Sequence, residues 1–525
     1  MKKSQLFTIR IALTVALGGF LMGFDASVIS GVVKFIEPQF DLTKIQLGWS
    51  VSSLTLLSTL SMMVAGPISD RIGRRTVLRW AAVLFGVSAV GSALAPDFTT
   101  LVIARMIGGM GVGSSLIIAP LFIAEISPPK MRGRLVSFNQ LNIVLGISVA
   151  FFTNYLILRL GSSEVSWVKT LGIDQYNWRW MLGLETLPAL IYFIALFFVP
   201  RSPRWLMLKG KSDEAREILH RANDTDAAKV EFENIRQSIQ SGTKNEKIPL
   251  AEIFKPALKL VLIIGTGVAI LQQITGINSV FFYAPMIFEQ SGIGTNAAFS
   301  QAILVGLTNL VFTVIAILFI DRLGRKPLLG IGLAGIAVFM CILAAGFNSA
   351  TYRLTPDTIK QLPSGIPKEK LYSIQDQQFD SDIKFKQKVG EILEPSIFLE
   401  YESELIAGAI HINPSLILIG ILGFVAAFAV SLGPVMWVLF SELFPNWIRG
   451  LAISFVGFIN SAVSFSVQLV FPWELSTLGT AGTFLIYGIF GAIGLVFVLI
   501  LVPETKGKSL EELEKILVKS KITER

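Results

Sequence analysis

Asp70-Arg71-Ile72-Gly73-Arg74-Arg75 stands between two long apolar runs, and Asp321-Arg322-Leu323-Gly324-Arg325-Lys326 stands between two more. A phrase this charged must stay in water, so the apolar runs on either side of it enter and leave a membrane. A second pair of markers follows the same order: Glu125 with Arg132-Gly133 returns as Glu442 with Arg449-Gly450. The chain is thus two parallel repeats, an arrangement that sets a substrate site near the bilayer midplane.

Composition agrees with this reading. Of the 525 residues, 52% are hydrophobic and 16% charged, with a mean hydropathy of +0.64. Soluble chains carry about 25% charged residues. Apolar stretches near 8–32, 47–69, 77–95, 99–124, 134–158, 180–199, 257–288, 298–320, 327–347, 413–441, 451–472 and 481–502 are each long enough to cross a bilayer. The expected fold is an all-α membrane protein of about twelve transmembrane helices in two six-helix halves.

The pI of 9.4 does not describe a nucleic-acid binder. Its cations gather in short loops on one side: Arg71, Arg74, Arg75, Lys130, Arg132, Arg322, Arg325, Lys326 and Arg449. That bias is a topology signal and predicts both termini in the cytoplasm, with the protein in the cell (inner) membrane. The opening Met1-Lys2-Lys3 resembles a signal peptide, but the apolar run continues past Asp25 without a small-residue cleavage site, so it reads as a retained first span. Cys341 is the single cysteine, which excludes an intramolecular disulfide. His220 and His411 lie outside the apolar runs, and no metal or nucleophilic constellation of an enzyme is visible.

The repeat markers locate the insertions. Asp70 and Asp321 are 251 residues apart, whereas Glu125 and Glu442 are 317 apart, so the second half has gained 66 residues between them. The polar stretch 347–412 holds them. Being polar and outside the repeat, it reads as a surface loop whose removal the chain tolerates. The expected domains are an N-terminal half over 1–200, a cytoplasmic linker with short amphipathic helices over 201–256, and a C-terminal half over 257–525.

Asp25 falls inside the first apolar run, where a carboxylate is expensive and marks function. At 1.5 Å per residue, Arg105 lies about 9 Å below the outer end of the fourth run and Asp25 about 25 Å above the inner end of the first. In a core of about 30 Å these depths match, so the two can pair. Such a pair is either a proton carrier, alternating between salt bridge and protonated acid, or a static ion pair. Glu185, early in the sixth run, either tunes a proton route or ends a helix.

Gln272, Gln273 and Asn278 offer amides that both donate and accept, as a hydroxyl-rich ligand requires. On a straight helix Gln273 and Asn278 point about 140° apart; a break at Gly276 would bring them together. Interhelical hydrogen bonding is the alternative. Gln140 and Asn309 are polar residues in apolar runs that suit either packing or a ligand, and Trp437 suits either a ligand ring or membrane packing. In the charged phrases, Asp70 with Arg74, Glu125 with Arg132, Asp321 with Arg325, and Glu442 with Arg449 can bridge neighbouring helix ends as a cytoplasmic gate, or simply set topology. The run Gly108–Gly113 reads as close helix packing, because nucleotide loops need a preceding strand.

These phrases, with Pro200-Arg201-Ser202-Pro203-Arg204-Trp205, Gln272-Gln273-Ile274-Thr275-Gly276-Ile277-Asn278 and Pro503-Glu504-Thr505-Lys506-Gly507, resemble the sugar porter family of the major facilitator superfamily. Gly23-Phe24-Asp25-Ala26-Ser27-Val28-Ile29-Ser30-Gly31 is most similar to bacterial xylose–proton and related sugar–proton symporters. The resemblance implies a major facilitator fold and alternating-access import of a monosaccharide with protons. It implies Asp25 as proton carrier and Gln140, Asn309, Asn460 and the amide trio as sugar contacts. A facilitative uniporter, which would lack the acid, and a non-transporting sugar sensor, which would want a long cytoplasmic tail, are the alternatives. No cofactor beyond the coupling proton and no obligate protein partner is implied. Three positions depart from the family pattern: Arg201 replaces a glutamate, Ser461 a tryptophan, and Ile147 the glutamine of the xylose symporters.

Overall fold

The computed structural model describes residues 3–128, 131–222, 225–242, 249–445, 447–508 and 512–514. Ten helical stretches are long and apolar enough to cross a membrane. One of them, Arg449–Leu501, holds two spans that meet at Gly479, whose φ of 74° turns the chain. The sixth span is made of two short pieces, Asn177–Gly183 and Thr186–Ala195, which brings the number to the expected twelve.

Local chemistry sets the boundaries. Gly73 and Gly324 both adopt φ of 97° and let the charged phrase reverse direction between spans two and three and between eight and nine. The fourth span, Phe98–Ile126, starts where the Asp97 carboxylate accepts from the Thr100 N–H at 2.9 Å. The glycine run on this span does pack helices. A Cβ at Gly109 would fall on the Leu54 carbonyl and one at Gly113 on the Ser58 carbonyl.

The chain forms two compact units. One comprises 1–27, 53–150 and 179–249; the other comprises 28–52, 151–178 and 250–525. In the first unit, the linker helices Pro203–Leu208, Ser212–Ala222 and Thr225–Gly242 lie against the span ends. Arg221 stacks on Phe7 at 4.6 Å, and Thr8 donates to the Ala222 carbonyl.

In the second unit, the 347–412 stretch is not the solvated loop its polarity suggested. It folds into a small α/β body with its own core, in which Ile359, Leu371, Phe385, Val389 and Leu405 are fully buried. Three short strands, β1 (Thr351–Arg353), β2 (Gln378–Phe379) and β3 (Ile410–His411), pair antiparallel in the order β2-β1-β3. Segments of two or three residues are too short to show a strand's alternation in sequence.

Candidate functional site

Asp25 and Arg105 meet as the depth argument required. Arg105 Nη1 donates to both the carboxylate Oδ1 and the backbone carbonyl of Asp25, the latter at 3.1 Å, and both side chains are 1% exposed. The other oxygen of Asp25, Oδ2, is buried without a hydrogen-bond partner among the described residues. Space for it comes from Gly108, where a Cβ would lie 2.6 Å from that oxygen. Glu185 sits at the break in the sixth span, fully buried, within electrostatic reach of both Asp25 and Arg105. Its Oε1 also lacks a partner. One guanidinium is thus paired with Asp25 while a second buried carboxyl, Glu185, lies within its electrostatic reach.

The second polar centre belongs to the other unit. Gly276 adopts the left-handed conformation, φ 89°, and ends the helix Lys259–Ile274 before Ile277–Phe282 begins. Across this break Asn278 Nδ2 donates to Gln273 Oε1 at 2.8 Å, so the pair predicted to need a break is joined by one. Gln273 Nε2 donates to Asn460 Oδ1 at 3.2 Å and to Gln272 Oε1 at 3.0 Å. Asn460 Nδ2 in turn donates to Gln272 Oε1 at 2.8 Å. Gln272 Nε2 donates to the Leu432 carbonyl at 3.1 Å, at the start of the helix that follows the break at Ser431 in the tenth span.

Two members of this network escaped the sequence reading. Ser464 accepts from Asn278 at 2.7 Å and from Gln468 at 2.8 Å. A signal was present, since Asn460, Ser464 and Gln468 recur every fourth residue on one face of an apolar helix. Among the described residues, Asn309 is buried but makes none of the network's bonds. Gln140 is half-buried in the other unit, and Trp437 is 44% exposed beside Gly457.

The charged phrases form a tighter pattern than their spacing predicts, with two partners exchanged. Arg74 holds Asp70 at 2.6 Å, as expected. Glu125, however, pairs with Arg74 at 3.1 Å rather than with Arg132. Arg132 lies past the turn that ends the fourth span and points to Glu231 of the linker at 2.9 Å. The second half repeats the correction: Glu442 binds Arg325 at 2.8 Å, while Arg449 donates to the Phe444 carbonyl. Ser202 donates to Glu125, and its counterpart Thr505 donates to Glu442 at 2.6 Å. The Asp321 side chain lies outside the described set.

One position breaks this symmetry. Glu504 accepts from the backbone N–H groups of Arg325 and Lys326, both at 3.1 Å, at the start of the ninth span. Burial would raise its carboxyl, but these N–H groups and that of Lys506 outweigh it and hold the acid below its ordinary range. The corresponding residue in the first half, Arg201, carries a positive charge, which a helix N-terminus does not favour. It stacks over Trp205 at 5.2 Å instead.

The profile of the family described as "Sugar (and other) transporter" matches residues 11–358 and 401–517. The arabinose-proton symporter of Bacillus subtilis is 36% identical over 513 residues, covering 98% of this chain and 96% of that protein. The D-xylose-proton symporter of Escherichia coli is 35% identical, covering 96% and 95%. An inward-open structure of the xylose transporter from E. coli superposes with a TM-score of 0.73 at 32% identity, covering 97% of this chain and all of that one. With the duplicated charge motif, twelve spans and near full-length likeness together, the chain belongs to the sugar transporter family of multi-pass membrane proteins.

Proposed function

We propose that this protein imports a monosaccharide together with protons by alternating access, from the cell membrane with both termini in the cytoplasm. The observation that carries the reading is the dry Asp25–Arg105 pair with one carboxylate oxygen left unpartnered. When Asp25 is charged, Arg105 holds it. When it takes a proton, the attraction falls and Arg105 is freed to satisfy Glu185 or the backbone, so the proton changes the relative stability of the two access states. Glu185 serves as second acceptor on that route.

Gln272, Gln273, Asn278 and Asn460 supply donors and acceptors for the sugar hydroxyls, with Ser464 added to them. Sugar replaces their present mutual bonds with its own, so recognition exchanges hydrogen bonds instead of creating them from nothing. Gln140, Asn309 and Trp437 complete the ligand set. Arg74–Glu125 and Arg325–Glu442, with Asp70, Arg132, Asp321 and Arg449 around them, act as latches on the cytoplasmic side. The named relatives carry pentoses, which makes arabinose and xylose the first sugars to test.

The test is uptake into proteoliposomes under an imposed inside-alkaline gradient, with unlabelled sugars as competitors. Accumulation above equilibrium that collapses with the gradient is expected. Equal rates with and without the gradient would establish a uniporter instead.

A further inference from the structure

The insertion carries a row of charges that the transport site does not use. Its helices Asp382–Gly390 and Pro395–Ala409 reach the connection between the first two spans, 29–44, within the same compact unit. Lys44 lies 2.5 Å from Glu37 and 3.5 Å from Glu402. Glu402 lies 2.8 Å from Lys386, whose ammonium also donates to Gln290 at 3.0 Å. Alongside, Lys34 pairs with Glu289 at 2.9 Å and with Glu404 at 3.6 Å, while Ser403 donates to Glu289 at 2.7 Å. Glu289 is 3% exposed and Glu402 13%, so these are not ordinary surface pairs. Burial would raise the Glu402 carboxyl, but Lys386 and Lys44 outweigh it and hold it at about 2.

Both sides of this clasp lie on irregular backbone. The connection is a 3₁₀ turn at Ile29–Gly31, a short helix interrupted by Pro38, and Asp41 in the left-handed region. Glu289 ends the last piece of the seventh span, which is already broken at Gly276 and Tyr283. The far side of the insertion is fixed differently. Asp382 accepts from the N–H and hydroxyl of Thr480, at 3.1 and 3.0 Å, in the turn between spans eleven and twelve. Residues 359–400 also lie outside the family match, so the shared fold stands without them.

We propose that the insertion is an outer gate of the transport cycle: anchored on the turn between spans eleven and twelve, it clasps the outer connection of spans one and two through Lys44–Glu402–Lys386 and Lys34–Glu289–Glu404, and sugar enters only when that clasp opens. Ion pairs suit this task. Separated charges regain their hydration, so the clasp gives register without a deep energy well, which an apolar contact of the same area would create. The proposal rests on the alternating-access reading above.

Cross-linking tests it directly. In a Cys341→Ser background carrying Lys34→Cys and Glu404→Cys, a short reducible bifunctional thiol reagent should stop sugar uptake, and reduction should restore it. Each single-cysteine variant should be insensitive. Uptake that persists in fully cross-linked protein overturns the gate. Failure of the untreated Cys341→Ser protein to transport any sugar would instead overturn the transporter reading.

A second measurement covers the case in which the double variant does not insert. Glu402→Gln should speed labelling of Ile36→Cys by an external impermeant maleimide about tenfold, because loss of one clasp charge shifts the population toward the open state. An unchanged labelling rate contradicts the gate as firmly as persistent uptake does.

Discussion

In the first half the buried polar centre is made of charges, Asp25 and Glu185 around Arg105; in the second it is made of amides and hydroxyls, Gln272, Gln273, Asn278, Asn460 and Ser464. The scaffolds that carry them are repeats, down to Arg74–Glu125–Ser202 and Arg325–Glu442–Thr505 at the helix ends. The helix-end ion pairs are therefore the same in both halves while the buried polar centres differ. A charged centre answers to protons and holds little for a neutral sugar. An amide centre does the reverse, since amides do not titrate and match hydroxyls in both directions.

The largest effect should come from breaking the charged centre. Arg105→Met leaves Asp25 and Glu185 buried without a counter-charge and should lower stability by about 3–5 kcal/mol, read as a melting curve in detergent. A variant as stable as the parent would mean that the acids are already neutral and that the centre is not one of charges. Breaking the amide centre should cost binding instead of folding. Gln273→Ala should weaken sugar affinity by about 1–3 kcal/mol with a near-normal melting curve, because sugar hydroxyls lose a buried partner. An unchanged dissociation constant would move Gln273 to packing.

The smallest effect concerns a helix-end position where the repeats differ in charge. Glu504 faces the N-terminus of the ninth span, and Glu504→Gln should cost about 0.3–1 kcal/mol. Its folded pKa is depressed, so the contribution is complete above the ordinary value of 4.5 and is lost as pH falls through the folded value. Arg201→Glu, which restores the same arrangement in the first half, should raise the melting temperature slightly at pH 7. A loss of stability there would show that Arg201 on Trp205 is a contact of its own rather than a missing cap.

Much of this was legible because membrane chemistry leaves few choices. A charge in an apolar run needs a partner at its own depth, which paired Asp25 with Arg105. A glycine between two amides permits a break, which joined Gln273 to Asn278. The partner exchange at the helix ends was not legible. Spacing favours Arg132, 7 residues from Glu125, over Arg74, 51 residues away, and only the fold brings Arg74 to the acid while Arg132 turns to Glu231. The insertion was hidden for a different reason: its strands are two or three residues long, and its helical spacings, such as Phe385, Val389 and Leu393, are short and set among lysines and glutamates. Polarity marked its surface correctly and said nothing of its inside.

The division of labour between the halves is tested most directly by Asp25→Asn in reconstituted vesicles, with and without an imposed pH gradient and alongside a sugar-binding assay. Asparagine keeps the volume and a bond to Arg105 but cannot cycle between charged and neutral forms. Sugar binding and exchange should survive while gradient-driven accumulation disappears. Accumulation that persists in Asp25→Asn would contradict the account, because the proton would then be carried elsewhere.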